Sequence, residues 1–557
     1  MYYDGKILLG QTESGSLINV ELPMANRHGL IAGATGTGKT VTLKVMAESF
    51  SDAGVPVFLA DAKGDLAGMC RPGVDSDDMD KRCNYFGLDS KGFSFHKYPV
   101  NFWDVYGERG IRLRTTISEM GPLLLARIMG LNDTQTDILN IVFKIADDNG
   151  LLLIDTKDLK SMLQYVAENN KSLSAEYGNL PTQSINVIIR AVVALEANGG
   201  EDFFAEPALD IKDWLVTDAS GRGFIQVLEC QKLMLNPTMY SMFLLWMISE
   251  LYEKLPEAGD LEKPKMVFFF DEAHMLFDSA PKILLEKIEQ VVKLIRSKGV
   301  GIYFVTQNPA DIPGGVLSQL GNKVQHALRA YTPAEQKGLK AAAEGFRVNP
   351  AFDTKTVLGE LGTGEALVST LGTDGVPTIV ERARILPPQS AFGAIDDSVL
   401  QEVIDSSYLK GKYNYYVDNE SAYERLNKIK ADEEAIKAEE EAKALEEARI
   451  AKEEKEAAKL AEKEAKEQEK LNRSQELAAQ RAAEKEAAAA AKEEERQKAA
   501  KAKAVKKATK NVANSTAGTI GREIGKSVGS SFGSFGKTLG GNVGASLGRG
   551  LIGTLFK

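Results

Sequence analysis

The chain has 557 residues, 26% of them charged and 43% hydrophobic, and a formal net charge of −10. That length exceeds what one hydrophobic core organises, so several domains are expected. The acidic balance excludes a protein that coats nucleic acid by overall charge, and three scattered cysteines exclude a disulfide framework or a cysteine zinc site.

Met1-Tyr2-Tyr3-Asp4-Gly5-Lys6 lacks the features of a signal peptide. A cytoplasmic, reducing setting is the expectation. Residues 1–28 read as a short β-rich entry, with Ile7–Gly10 and Leu17–Val20 flanking the turn Ser14-Gly15-Ser16 as a hairpin. Gly33-Ala34-Thr35-Gly36-Thr37-Gly38-Lys39-Thr40 is a complete phosphate-binding loop. It follows the apolar stretch Gly29–Ala32 and opens a helical run from Val41. Glycines let successive N–H groups converge on a phosphate, and the helix N-terminus adds partial positive charge there. Lys39 is placed to reach the β- and γ-phosphates, and the Thr40 hydroxyl to hold Mg²⁺. ATP and Mg²⁺ are therefore the expected cofactors.

Val55–Asp61 is apolar throughout and ends in a carboxylate, as a buried parallel strand does. The loop Ala62-Lys63-Gly64-Asp65-Leu66 then falls at the carboxyl edge of the sheet, where open α/β sheets bind ligands. From Ile111 to Trp214 apolar residues recur at helical spacing, which predicts a helical insertion. Gly223–Leu228 is a strand and Met239–Lys254 a long apolar helix. The apolar run Met242–Ile248 is too short to span a bilayer.

Met266–Phe270 followed by Asp271-Glu272 forms a Walker B strand. Asp271 is a candidate Mg²⁺ ligand, and Glu272 a candidate to orient or deprotonate the attacking water. Asp271-Glu272-Ala273-His274 also spells the signature of another helicase class, but that class's other motifs are not evident nearby. Gly299–Gln307 is a further core strand. Gln307 either senses the γ-phosphate and holds the water, or simply caps the strand end. Arg296, on a helix from Ile283, and Arg329, after the strand Lys323–Leu328, are alternative arginine fingers. Ala366–Ser369 and Pro377–Val380 read as a hairpin closing the core.

Two tails follow. Residues 422–510 are rich in Ala, Glu and Lys with many oppositely charged pairs at helical spacing. They read as a long solvated helix or linker, or alternatively as a coiled-coil arm, with a basic end near Lys506-Lys507. In 511–557, Gly521, Gly525, Gly529 and Gly533 recur every fourth residue, followed by Gly536, Gly540, Gly544 and Gly548. Such a stripe suits close approach to a partner helix, a second copy or a membrane surface, or marks a flexible tail.

The order of these motifs resembles the HerA/FtsK superfamily of P-loop ATPases, in its bacterial HerA-like branch. Arg27-His28-Gly29 through Thr40, Asp61–Asp65, Asp271–His274, Thr306–Ile312 and Val316–Asn322 carry the resemblance. It implies an α/β fold: a RecA-like P-loop NTPase core with a helical insertion, plus a long C-terminal helical tail. It further implies a homo-oligomer, expected to be a hexamer, that translocates double-stranded DNA. Lys39 and Thr40 are then the Walker A pair, Asp271 and Glu272 the Walker B pair, and Gln307 the sensor. Arg296 matches the family's trans-acting arginine, and Arg27 a second basic position before the loop that binds nucleotide. The N-terminal barrel of archaeal HerA is reduced here to the entry 1–28. The expected division is entry 1–28, core 29–110, insertion 111–215, core 216–390, linker 391–421, tail 422–510 and glycine-periodic segment 511–557. The alternative function is a nucleotide-switched scaffold that recruits a protein or membrane partner through its tail.

Overall fold

The computed structural model describes residues 1–278 and 282–494. The glycine-periodic segment 511–557 and the end of the 422–510 tail lie outside the described residues. The chain divides into two units, Met1–Arg425 and a second beginning at Leu426.

The first unit is built on one thirteen-stranded sheet. In chain order its strands are β1 (Tyr2–Tyr3), β2 (Lys6–Thr12), β3 (Leu17–Val20), β4 (Gly29–Ala32), β5 (Val57–Asp61), β6 (Val100–Asp104), β7 (Ile111–Arg112), β8 (Ile225–Glu229), β9 (Met266–Phe270), β10 (Val300–Thr306), β11 (Asn322–His326), β12 (Glu365–Ser369) and β13 (Glu381–Ile385). Across the sheet the order is β1-β2-β13-β12-β11-β4-β10-β9-β5-β8-β6-β7, with β3 paired to β2. The strands from β11 through β4, β10, β9, β5, β8 and β6 to β7 are parallel. One strand, β10, separates the phosphate-loop strand β4 from the Walker B strand β9, which is the RecA-like arrangement. The entry hairpin β2–β3 is not a separate body, because β2 pairs with β13 and extends the same sheet.

The central strands are apolar on both faces because both are covered. Phe269 points to one side, where it stacks on Tyr303 at 5.1 Å and meets Phe50 of the helix Lys39–Asp52 at 6.3 Å. Its neighbours Phe268 and Phe270 point to the other, against Phe58, which meets Phe243 of the helix Pro237–Lys254 at 6.4 Å. The alternation is that of any strand, so helices on both faces call for the continuous apolar runs seen in the sequence.

Between β7 and β8 lie the helices Ile117–Ile128, Asp133–Asp148, Thr156–Glu168, Asn170–Tyr177 and Thr182–Leu195. Asn132 with Gln135 and Asp155 with Asp158 form capping boxes that start two of them. The helical reading from Ile111 begins too early, since Ile111 and Arg112 pair with β6. The closing hairpin is also displaced. Its second ladder strand is Glu381–Ile385 rather than Pro377–Val380, with Val368 opposite Glu381. Leu371 and Pro377 make only an isolated bridge.

The second unit is described from Leu426 along the helix Ala422–Glu494. Its side chains supply their own support, as in Glu439–Lys443 at 2.7 Å and Glu462–Lys466 at 2.6 Å, each one turn apart. Among the described residues no helix is long and apolar enough to cross a membrane.

Candidate functional site

The phosphate loop joins β4 to the helix Lys39–Asp52 and rests on β10 and β11. Gly33 N–H donates to the Thr306 carbonyl at 3.3 Å, and Ala34 N–H to the Ala327 carbonyl at 2.8 Å. Gly33 and Gly38 have φ of 153° and 116°, a region L side chains rarely enter. A Cβ on Gly33 would lie 2.5 Å from His326 Cβ, so the loop sits directly on β11. His326 is itself fixed. Its Nδ1 is 2.8 Å from the Glu365 carbonyl, which can only accept, so Nε2 is unprotonated and accepts from Thr42 Oγ1 at 2.7 Å. The helix Lys39–Asp52 starts at Gly38 with no side chain capping it, which leaves its first N–H groups facing the loop. Thr37 folds inward, with Oγ1 donating to the Ala34 carbonyl at 2.7 Å. Thr35 and Gly36 form the exposed crest of the loop.

Lys39 is buried and its ammonium donates to the Gly33 and Ala34 carbonyls at 2.6 and 3.1 Å. Burial holds its pKa below the ordinary value; the Glu272 charge offsets part of this, and the nearby Lys63 charge adds to the lowering. An anion over the loop would relieve that penalty. Asp271 and Glu272 follow β9 at the same sheet edge. Burial first, and then the Glu272 charge, raise the Asp271 carboxyl to about 6. Among the described residues no cluster of three His, Cys, Asp or Glu side chains stands ready to hold a metal. The residues present nevertheless suit Mg²⁺, which needs only one or two protein oxygens beside phosphate and water. Thr40 and Asp271 would supply them.

Glu272 has a left-handed backbone, φ 48°, uncommon for a residue with a side chain. Its carboxylate is held from three directions. Lys63 Nζ lies 2.5 Å from Oε1, while His274 Nδ1 at 3.2 Å and Gln307 Nε2 at 3.4 Å approach Oε2. Only the Gln307 contact of those two has hydrogen-bond alignment. Burial pushes the Glu272 carboxyl up, but Lys63, followed by His274 and Gln307, outweighs it and keeps the group below its ordinary value.

The structure thus brings together Gly33 through Thr40, Asp271, Glu272 and Gln307. Arg329 lies near this edge, two residues beyond Ala327, but both its NH groups are engaged. They donate to the Gly359 carbonyl and, at 3.2 Å, to the Leu361 carbonyl. Arg27 and Arg296 are elsewhere. Arg27 precedes β4 and lies against Gly375. Arg296 precedes β10, its carbonyl 3.5 Å from Asn26 Nδ2. Both occupy the opposite edge of the sheet, separated from the phosphate loop by the length of β4, roughly 13 Å at ~3.3 Å per residue. Sequence reasoning left Lys63, Thr42 and His326 without a role in the site. The signal for Lys63 was its place just after a buried strand, at the ligand-binding edge.

The family model described as helicase HerA-like C-terminal matches residues 6–479. The probable helicase MJECL08 of Methanocaldococcus jannaschii is 34% identical over 125 residues, which cover 22% of this chain and 22% of that protein's length. The DNA double-strand break repair helicase HerA of Sulfurisphaera tokodaii is 22% identical over 387 residues, 66% of this chain and 67% of the relative. Of the solved structures, the plasmid coupling protein TrwB in complex with ADP and Mg²⁺ aligns at a TM-score of 0.46 and 13% identity, over 67% of this chain and 88% of that one. VirB4 of Thermoanaerobacter pseudethanolicus aligns at 0.44 and 18% identity, over 69% and 96%.

Proposed function

The chain belongs to the helicase HerA-like C-terminal family, and we propose that it is a Mg²⁺-dependent ATPase that works as an oligomeric ring motor on double-stranded DNA. The observation that supports hydrolysis is the meeting of Lys39, Asp271, Glu272 and Gln307 at one sheet edge, although they come from three separate stretches of sequence. Bound ATP would supply the γ-phosphoryl group, and Mg²⁺ the charge that stabilises its oxygens. The rest falls to the chain. The phosphate-loop N–H groups and Lys39 bind and orient the phosphates. Gln307 and Glu272 hold the water in line. Glu272 takes the water's proton as its oxygen bonds to phosphorus and the bond to the ADP oxygen breaks.

Arg27 and Arg296 support the oligomeric part of the reading. They cannot reach the phosphate loop of their own subunit, so the roles expected of them require a second copy. DNA as the substrate rests on the family, whose S. tokodaii relative is named as a DNA double-strand break repair helicase.

The test is ATP turnover by wild type and Glu272→Gln, with and without duplex DNA, alongside a mass measurement in ATP. Stimulation by DNA and a Glu272→Gln loss of about 10²–10⁴-fold in kcat are expected. Turnover indifferent to DNA overturns the DNA motor, and normal turnover by Glu272→Gln removes Glu272 from catalysis.

A further inference from the structure

The placement of Lys63 is over-determined for a half-exposed residue. β5 lies directly beside β9, with Ala60 opposite Phe270, so the loop after β5 opens next to the Walker B turn. That loop is organised around the Asp61 carboxylate, which is buried and accepts from the N–H groups of Lys63, Gly64 and Leu66 at 3.2, 2.7 and 3.0 Å. From the other side, Gln231 Nε2 donates to the Lys63 carbonyl at 2.6 Å. Both backbone groups of Lys63 are therefore fixed by side chains from β5 and from the short helix Gln231–Met234 that follows β8. Its side chain, about half exposed, reaches to a Glu272 carboxylate that is only 8% exposed. An exposed ion pair is weakly held, but here one partner is buried and its backbone already confined to a left-handed conformation.

Resting on the hydrolase reading above, we propose that Lys63 is a positioning residue for Glu272, pinning Oε1 so that Oε2, with Gln307, faces the attacking water. An ionised carboxylate has about four lone-pair sites. His274 Nδ1 lies 3.2 Å from Oε2 but is not aligned to hydrogen-bond it, so Lys63 on Oε1 and Gln307 on Oε2 leave Oε2 free to accept one water proton, in an orientation that neither residue alone fixes. Without Lys63 the carboxylate can rotate about its terminal torsion, which is broad for glutamate. A misplacement of about 1 Å costs on the order of 100-fold in rate. The loss falls on kcat, because nucleotide binding is carried by the phosphate loop and Lys39.

The experiment measures steady-state ATP turnover and nucleotide affinity of the full chain for wild type, Lys63→Met, Lys63→Arg, Glu272→Gln and Lys63→Met/Glu272→Gln, with Lys39→Ala as the control. Methionine keeps the unbranched stem and removes the ammonium. The expected result for Lys63→Met is a kcat lowered roughly 10–100-fold with KM and ATP affinity within about twofold. Lys63→Arg should recover most of the rate, and the double variant should be no slower than Glu272→Gln alone, since both act through one group. Unchanged kcat in Lys63→Met overturns the proposal. So does a loss confined to KM and affinity, or a double variant slower by the product of the single effects. Turnover absent in wild type, or retained by Lys39→Ala, overturns the hydrolase reading itself and this inference with it.

Discussion

Acidification should destabilise the first unit through His28, by an amount that its surroundings set. The ring is buried, with Nε2 2.9 Å from the Val292 carbonyl and Nδ1 3.0 Å from the Ile302 amide nitrogen. A carbonyl accepts and an amide N–H donates, so the imidazole is neutral with its proton on Nε2. A second proton on Nδ1 would face the Ile302 N–H head on. Burial lowers the pKa from 6.5 to about 4, against the pull of the Val292 bond and with help from the Arg296 charge. The unfolded chain takes up this proton near pH 6.5 and the folded chain only near 4, so between them the unfolded state binds more protons. Stability is therefore whole above about pH 6.5 and falls as the pH drops towards 4. At pH 5 the gap amounts to about 1.5 pKa units, or ~2 kcal/mol. Other buried groups titrate in the same range, Asp61 in the opposite sense, so the measurement is a difference. His28→Gln removes the titration, and urea unfolding of both proteins near pH 7.5 and near pH 5 isolates it. Wild type should exceed His28→Gln by about 2 kcal/mol less at the lower pH. A difference that does not change with pH would refute the assignment of His28 as the neutral bridge.

Thr42→Val should strand the buried Nε2 of His326 without a donor, cost about 1–3 kcal/mol in a thermal melt, and reduce the added stability that ATP confers. Gly33→Ala forces a Cβ to 2.5 Å from His326 Cβ; the chain should stay folded, at a cost of about 1–3 kcal/mol, while calorimetry shows nucleotide binding lost. Removal of residues after Arg425 should leave a cooperative unfolding transition and ATP turnover in the first unit. Loss of partner or membrane binding with hydrolysis intact would favour the scaffold alternative. Glu272→Gln and Arg296→Ala subunits, each inactive alone, should regain turnover on mixing, because about one interface in four then pairs an intact Glu272 with an intact neighbouring Arg296. No recovery would place Arg296 outside a shared site.

Strands with both faces covered were legible in the sequence. Val57–Asp61, Met266–Phe270 and Val300–Thr306 are apolar up to their carboxyl ends because helices lie above and below them, and their short length and β-branched and aromatic content mark them as strands. β13 was placed too early because Glu381-Arg382-Ala383-Arg384-Ile385 buries only alternate residues and carries charge between them. Glu365 stands opposite Arg384 in the ladder and pairs diagonally with Arg382 at 2.7 Å, contacts that composition does not reveal. β6 escaped because Asn101 interrupts its apolar run; it is buried, and its Nδ2, like the indole N–H of Trp103, donates to Gln226 Oε1, at 3.2 and 2.8 Å. A polar residue in a core strand is readable only once its partner on the next strand is known.

The same distinction runs through the site. The phosphate loop is a local object, with its turn, its glycines and its helix N-terminus all within one stretch, so its chemistry is written in order. Lys63 with Glu272, and Thr42 with His326, meet only because parallel strands bring their carboxyl ends to one edge. What decides proximity is the end of the strand at which a residue sits and the neighbour that strand has. By that rule Lys63, remote from Glu272 in sequence, is beside it, since β5 and β9 are adjacent and both residues follow their strands. Arg27, close to Lys39 in sequence, precedes β4 and so lies at the far edge with Arg296. A ring is the arrangement in which a far edge of one subunit can face the near edge of the next. On the ring reading proposed above, the two arginines would act across an interface, since both lie away from the phosphate loop of their own chain.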